Sequence, residues 1–344
     1  MMRLLVLGGT AWLGREIART ARDRGDTVTC LARGRSGAPD PGVELVTADR
    51  DAPGGYDRVR EREWDAVVDV SRQPGQVRGA VAALRDRAAH YVFVSSISVY
   101  ADIAEPGQDE SSPLLPALDG DVMESPADYG PAKVTCERHT RQGFGLERTL
   151  VARAGLIGGP GDWSARTTYW PWRFHRAAPD GAVLVPDAPD LPTSVIDARD
   201  LAAWLVEAAR QRTAGVLNAC GPVHPLGDHL EAARRVAGHT GPVVPVEPSW
   251  LSEQQVQPWM GERSLPLWLD DPASFGLSAL DCRAAYAAGL APRPLAETLA
   301  DGLDWELGRP ADQQRRAGLT DAEERDLLRA WRSRSSGATS SPGS

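Results

Sequence analysis

The chain has 344 residues, 42% apolar and 25% charged, with a formal net charge of −9, which suits one large core plus a smaller lobe. The negative balance, with no concentrated basic face, argues against a nucleic-acid partner. Cys30, Cys136, Cys220 and Cys282 form no CxxC pair, which excludes the usual zinc spacings and suits reduced thiols in a cytoplasmic protein. The opening MMRLLVLGGT is too short in apolar residues for a signal peptide, and no run is long enough to span a membrane.

The predicted elements alternate. Leu4–Leu7 reads as a strand, followed after two glycines by a helix from about Trp12 to Arg24. Further strands are predicted at Thr27–Ala32, Glu44–Ala48 and Ala66–Val70, then a helix from Gln76 to Arg87 and a strand at Tyr91–Ser95. Residues 101–128, rich in proline and carboxylates and without a basic residue, read as a solvated loop, with a lid as the alternative. A helix at Tyr129–Arg141, a strand at Thr149–Ala154, an amphipathic helix at Asp200–Arg212 and a short strand at Val216–Ala219 follow.

Apolar runs without polar alternation suit strands covered on both faces. The rhythm therefore predicts an α/β fold: a Rossmann-type doubly wound parallel sheet with a smaller C-terminal substrate lobe. The expected Rossmann domain is 1–160 with 195–220 returning to it. The lobe is 161–194 plus 221–334, where periodicity is poor, and 335–344 is a disordered tail.

Gly8-Gly9-Thr10-Ala11-Trp12-Leu13-Gly14 joins the first strand to its helix. Gly8 permits a tight turn, Gly14 lets the helix pack closely, and the exposed N–H groups can hold a pyrophosphate. Ala11 stands where such turns usually carry the middle glycine. After the second strand there is no carboxylate for ribose hydroxyls. Arg33 and Arg35 stand there instead and suit a 2′-phosphate, so NADP(H) is favoured over NAD(H).

Of the 38 lysines and arginines, one is lysine, Lys133. Tyr129 precedes it by one helical turn, on the same face. An ammonium there favours the phenolate, so the tyrosine can exchange a proton with a carbonyl or alcohol oxygen while hydride moves. Arginine, wide and planar, substitutes poorly. Ser95, Ser96 and Ser98 follow the fifth strand at the sheet's carboxyl edge. Any of them could hold a developing oxyanion or merely cap a turn.

The glycine turn, the segment Val94-Ser95-Ser96-Ile97-Ser98-Val99-Tyr100, Tyr129-Gly130-Pro131-Ala132-Lys133, Arg153–Pro160 and Val195–Ala202 together resemble the extended short-chain dehydrogenase/reductase superfamily, in an atypical epimerase/dehydratase-like branch. The resemblance covers roughly residues 3–220. It implies Ser96 as the catalytic hydroxyl, with Tyr129 and Lys133. It also implies Asp49 and Arg50 near adenine, Val70 and Ser71 at the cofactor's centre, and a homodimer through helices including the one bearing Tyr129. Two departures weaken a nucleotide-sugar substrate. Ile97 and Ser98 stand where sugar dehydratases carry Asp-Glu, and Leu156 stands where an asparagine is usual.

The lobe offers Trp163, Tyr169, Trp170, Trp172, Trp259 and Trp268 as aromatic walls, with Arg173 and His175 as possible aids. The leading expectation is carbonyl reduction or alcohol oxidation on a small metabolite of specialised biosynthesis. The alternatives are epimerisation through a transient ketone with retained NAD+, and a non-catalytic nucleotide sensor or RNA-binding relative.

Overall fold

A run such as Leu4-Leu5-Val6-Leu7 has no polar side, so as a strand it needs cover on both faces. The computed structural model describes residues 1–178, 180–310 and 315–338, with side chains to 334. In it the runs become β1 (Arg3–Leu7), β2 (Thr27–Ala32), β3 (Glu44–Thr47), β4 (Ala66–Asp69), β5 (Tyr91–Ser96) and β6 (Thr149–Ala154). With the strand Gly215–Ala219 they form one parallel sheet, ordered Gly215–Ala219, β6, β5, β4, β1, β2, β3. The order reverses between β1 and β4, which pair with Leu7 opposite Asp69. Connections leave a doubly wound sheet on opposite faces at such a reversal, opening a crevice beyond the strands' carboxyl ends.

The sheet's own unit includes the helices α1 (Trp12–Asp23), the short α2 (Asp57–Arg60), α3 (Pro74–Leu84), α4 (Tyr129–Phe144) and, after α5 (Tyr169–His175) of the second unit in chain order, α6 (Ala198–Gln211). α1 packs with α6, and α3 with α4. Leu5, Leu7, Leu31, Val67, Phe93 and Val151 form one core with Val77, Val81, Leu84 and Phe144 of α3 and α4. Burying each such side chain contributes about 1.5–3 kcal/mol.

One polar network pins α4 to the sheet. Arg153 of β6 and Glu137 of α4 are both 2% exposed and pair at 2.9 Å. Ser95 Oγ donates to Glu137 at 2.6 Å, and Arg153 also donates to the Tyr100 hydroxyl at 3.0 Å. Tyr100 in turn donates to Asn218 Oδ1 at 2.6 Å.

The segment between Ala101 and Asp128 is tied down at intervals: Ala101 N–H donates to Pro113, Leu115 N–H to Val99, Leu118 N–H to Pro131, and Gly75 N–H to Asp121. It is a stapled surface excursion rather than a free lid.

Two compact units are resolved. The first is Met1–Leu156, Ile196–Pro222 and Gly276–Pro292; the second is Ile157–Val195, Val223–Phe275 and the residues from Arg293 onward. Residues 276–292 were expected in the second lobe and belong to the first unit instead. Gly107 N–H donates to Ala279 at 2.7 Å and Asp281 N–H to Gln108 at 2.9 Å. Leu280 and Cys282 join an apolar cluster with Ile97, Val99, Tyr100 and Val134.

In the second unit Val183–Pro186 pairs in parallel with Val243–Val246, and the helices Leu226–Val236 and Leu295–Leu307 pack on each other and on α5. Tyr169, Trp170 and Trp268 are 0% exposed and Trp172 8%, so these four are core, not walls of a site. Trp163, at 53%, and the partly buried Trp259 remain accessible. Arg173 is buried against Glu324 at 3.0 Å and Asp321 at 2.9 Å, a structural pairing; His175 is exposed. The helix Asp321–Ala338 enters the expected disordered tail, so residues 335–338 are helical. The remainder of that tail, 339–344, lies outside the described residues. Among the described residues no helix is long and apolar enough to cross a membrane.

Two tests follow from the packing. Arg153→Met leaves Glu137 charged and unpaired, and is expected to lower unfolding free energy by about 3–5 kcal/mol, with Glu137→Leu/Arg153→Met costing distinctly less; urea denaturation measures both. Burial pulls the His90 and His229 imidazoles down to about 4 and about 3. The unfolded chain takes up those protons near pH 6.5 and the folded chain does not. Their contribution is therefore complete above that pH and declines as pH falls, towards 4 for His90 and towards 3 for His229. His229→Leu is expected to flatten the fall in melting temperature over this range.

Candidate active site

The first turn is built from glycines because side chains would collide there. Gly8 sits at φ +88°, and a Cβ on Gly9 would lie 2.2 Å from Cys30 Sγ. A Cβ on Gly14 would lie 2.3 Å from the Gly8 carbonyl oxygen, a backbone atom that cannot yield. Ala11 occupies the N-cap of α1 in an extended conformation, with no side-chain cap and no acidic residue in the first turn. Trp12 and Leu13 begin the helix, and Thr10 is buried. An uncapped helix start of this kind attracts an anion.

Arg33 and Arg35 are exposed beyond β2, with no carboxylate partner among the described residues. Arg15, which sequence reasoning missed, links the turn to that loop: its Nη2 donates to Thr10 O at 3.1 Å and Ser36 O at 2.7 Å.

Across the reversal, at the ends of β4 and β5, lies the solitary lysine. Lys133 is 3% exposed. Its Nζ donates to the carbonyls of Ser71 and Val94, each at 2.7 Å. It stands 4.8 Å from the Phe93 ring centre and 5.9 Å from that of Tyr129. An ammonium has three donors, and the third has no partner among the described residues.

Tyr129 opens α4 and is partly buried. Its approach is set just upstream, where Asp128 Oδ2 accepts from Ser125 N–H at 2.8 Å and Ser125 Oγ at 3.0 Å. Gly130 lets α4 cross the end of β5 closely, since a Cβ there would lie 2.2 Å from the Ser98 carbonyl oxygen.

The structure separates the three serines. Ser95 is committed to Glu137. Ser96, 7% exposed, caps the turn Ile97–Val99, its Oγ accepting from Ser98 N–H at 3.1 Å and donating to Ser98 Oγ at 3.1 Å. Ser96 and Ser98 therefore share one spot.

Val70 packs over Gly8, its Cγ2 2.8 Å from where a Cβ would stand. Asp49 Oδ1 accepts from Asp51 N–H at 3.2 Å. Arg50 does not reach outward. Its side chain is 12% exposed and contacts Asp69 Oδ1 at 3.3 Å and Ser71 Oγ. Asp69, fully buried, also went unnoticed. It had a visible sign: a carboxylate closing an apolar buried strand.

No family profile matches the chain, and no curated relative does. Solved structures do. One is a Burkholderia cenocepacia J2315 protein provisionally assigned as an epimerase, at 21% identity and a TM-score of 0.67, covering 88% of this chain and 97% of that one. UDP-N-acetylglucosamine 4-epimerase from Bacillus cereus matches at 16% and 0.65, covering 91% and 99%. UDP-glucose 4-epimerase from Thermus thermophilus, in complex with NAD, matches at 19% and 0.60, covering 90% and 100%. The chain shares the fold of these solved structures.

Gly14→Ala must push α1 off the Gly8 carbonyl. The expected outcome is native circular dichroism and, for any dinucleotide that the parent binds in a fluorescence titration, affinity weakened at least about tenfold, or about 1.4 kcal/mol.

Proposed function

We propose that this chain is a nicotinamide-dinucleotide oxidoreductase that interconverts a carbonyl and an alcohol on a small metabolite through Ser96, Tyr129 and Lys133. The observation that carries this reading is the environment of Lys133. The only lysine in the chain is buried at the ends of two adjacent strands, beside Tyr129, with two donors fixed on carbonyls and one to spare.

The glycine turn and the uncapped start of α1 fit a pyrophosphate: the glycines let the turn and α1 pack closely on the strands, the helix start has no side-chain cap, and nothing acidic competes there. A bound dinucleotide supplies or accepts the hydride. The spare Lys133 donor suits a ribose hydroxyl, and its charge stabilises negative charge developing on the Tyr129 oxygen. Tyr129 gives or takes the proton at the substrate oxygen. The Ser96 hydroxyl, whose hydrogen can rotate away from Ser98, holds that oxygen.

NADP(H) is the proposed preference, supported by Arg33 and Arg35 standing exposed where no carboxylate intervenes. The Thermus neighbour is itself a complex with NAD, so the affinity ratio is the test: at least tenfold tighter NADH binding would overturn the arginine argument. A second reading, epimerisation with retained NAD+, is favoured by the 4-epimerases among the neighbours. It is opposed for nucleotide sugars by the buried Leu156. Dinucleotide extracted from purified protein separates the two: bound NAD+ indicates an epimerase, an empty protein a reductase.

In a substrate screen following NADPH absorbance, Tyr129→Phe is expected to lower kcat by about 10²–10⁴-fold while leaving dinucleotide affinity nearly unchanged. Ser96→Ala is expected to cost about 10²–10³-fold, and Ser98→Ala far less. Full activity in Tyr129→Phe would refute both enzymatic readings.

A further inference from the structure

Lys133 is held by a carbonyl that is itself held in place. β4 ends at Asp69, so Ser71 lies beyond the sheet's hydrogen-bond ladder. Asp69 takes over the ladder's work: its Oδ1 accepts from Ser71 N–H at 2.9 Å and from Ser71 Oγ. A carboxylate bonded to the N–H two residues on closes a turn and fixes the intervening peptides. The Ser71 carbonyl, turned the other way, receives Lys133 Nζ at 2.7 Å.

Asp69 is 0% exposed, a costly place for a charge unless it is paired and fully hydrogen-bonded. Arg50 supplies the counter-charge at 3.3 Å and also touches Ser71 Oγ. Tyr91 donates to the other oxygen at 2.7 Å. Burial first, and then the Asp69 carboxylate beside it, push the Tyr91 phenol's ionisation well upward. One oxygen of Asp69 thus serves Ser71 and Arg50, and the other serves the sheet.

We propose that Asp69, neutralised by Arg50, is a positioning residue: through Ser71 it sets where the Lys133 ammonium stands. This rests on the reading of Lys133 given above. It assigns Arg50 an inward role at this centre.

The solitary lysine makes the test possible without a substrate. Protein grown on isotope-labelled lysine gives one side-chain ammonium resonance, that of Lys133. Asp69→Ala is expected to shift that resonance by more than its linewidth and to speed its hydrogen exchange. Asp69→Asn, which keeps an acceptor for Ser71 N–H, is expected to restore it towards the parent. Tyr91→Phe, which removes only the donor to the other oxygen, is expected to leave it in place. If Asp69→Ala fails to fold, Arg50→Met/Asp69→Leu removes both buried charges together, and the same shift is expected.

An unshifted resonance in the folded Asp69→Ala or double variant overturns the proposal, as does an equal shift in Tyr91→Phe. The two failures are separable: an active Tyr129→Phe defeats the enzymatic reading whatever the resonance does. A dead Tyr129→Phe with an unmoved resonance in Asp69→Ala defeats only the positioning role.

Discussion

The arrangement turns on one buried cation held between the carboxyl ends of two neighbouring strands. Removing an ammonium from water costs several kcal/mol, and two hydrogen bonds to the charged group return about 1.5–3 kcal/mol each. The balance is close, so the seat of Lys133 depends on the Ser71 and Val94 carbonyls, each 2.7 Å from Nζ. A guanidinium, planar and with five donors, does not suit that two-carbonyl seat. In a chain that uses arginine at every other basic position, this gives the one lysine a physical reason.

The rest of the first unit keeps that seat in register. Parallel pairing sets Asp69, the last residue of β4, opposite Phe93 within β5, and the two carbonyls come from the chain just beyond each. The Glu137–Arg153 pair, buried and backed by Ser95 and Tyr100, holds α4 against β6, so the helix bearing Tyr129 and Lys133 cannot slide along the sheet. A buried ion pair is weak evidence of net stability. What it supplies here is a fixed position, because moving α4 would leave two charges unpaired.

The sheet and the glycine turn were legible because their signals are local: unbroken apolar runs, and glycines where Gly9 and Gly14 meet Cys30 and the Gly8 carbonyl. The second unit was harder. Leu226–Val236 buries Leu226, His229, Leu230 and Ala233, a helical spacing in which a histidine stands at an apolar position and hides the stripe. The aromatic residues were misleading for a related reason. Trp170 and Trp268 look like ligand walls in a sequence, but only tertiary packing decides that they are fully buried while Trp163 stays exposed. Residues 276–292 could not be placed by pattern at all, since backbone bonds to Gly107 and Gln108 attach them to the first unit. Asp69 and Arg50 were missed as partners because nothing local joins them. The sheet reversal does.

A crystal structure with NADPH or NADH bound would test the central claim most directly. Lys133 Nζ is expected to keep both carbonyls and to place its remaining donor within about 3 Å of a nicotinamide-ribose hydroxyl. A dinucleotide bound with its nicotinamide end out of reach of Lys133, or a lysine that has left the Ser71 and Val94 carbonyls, would contradict it.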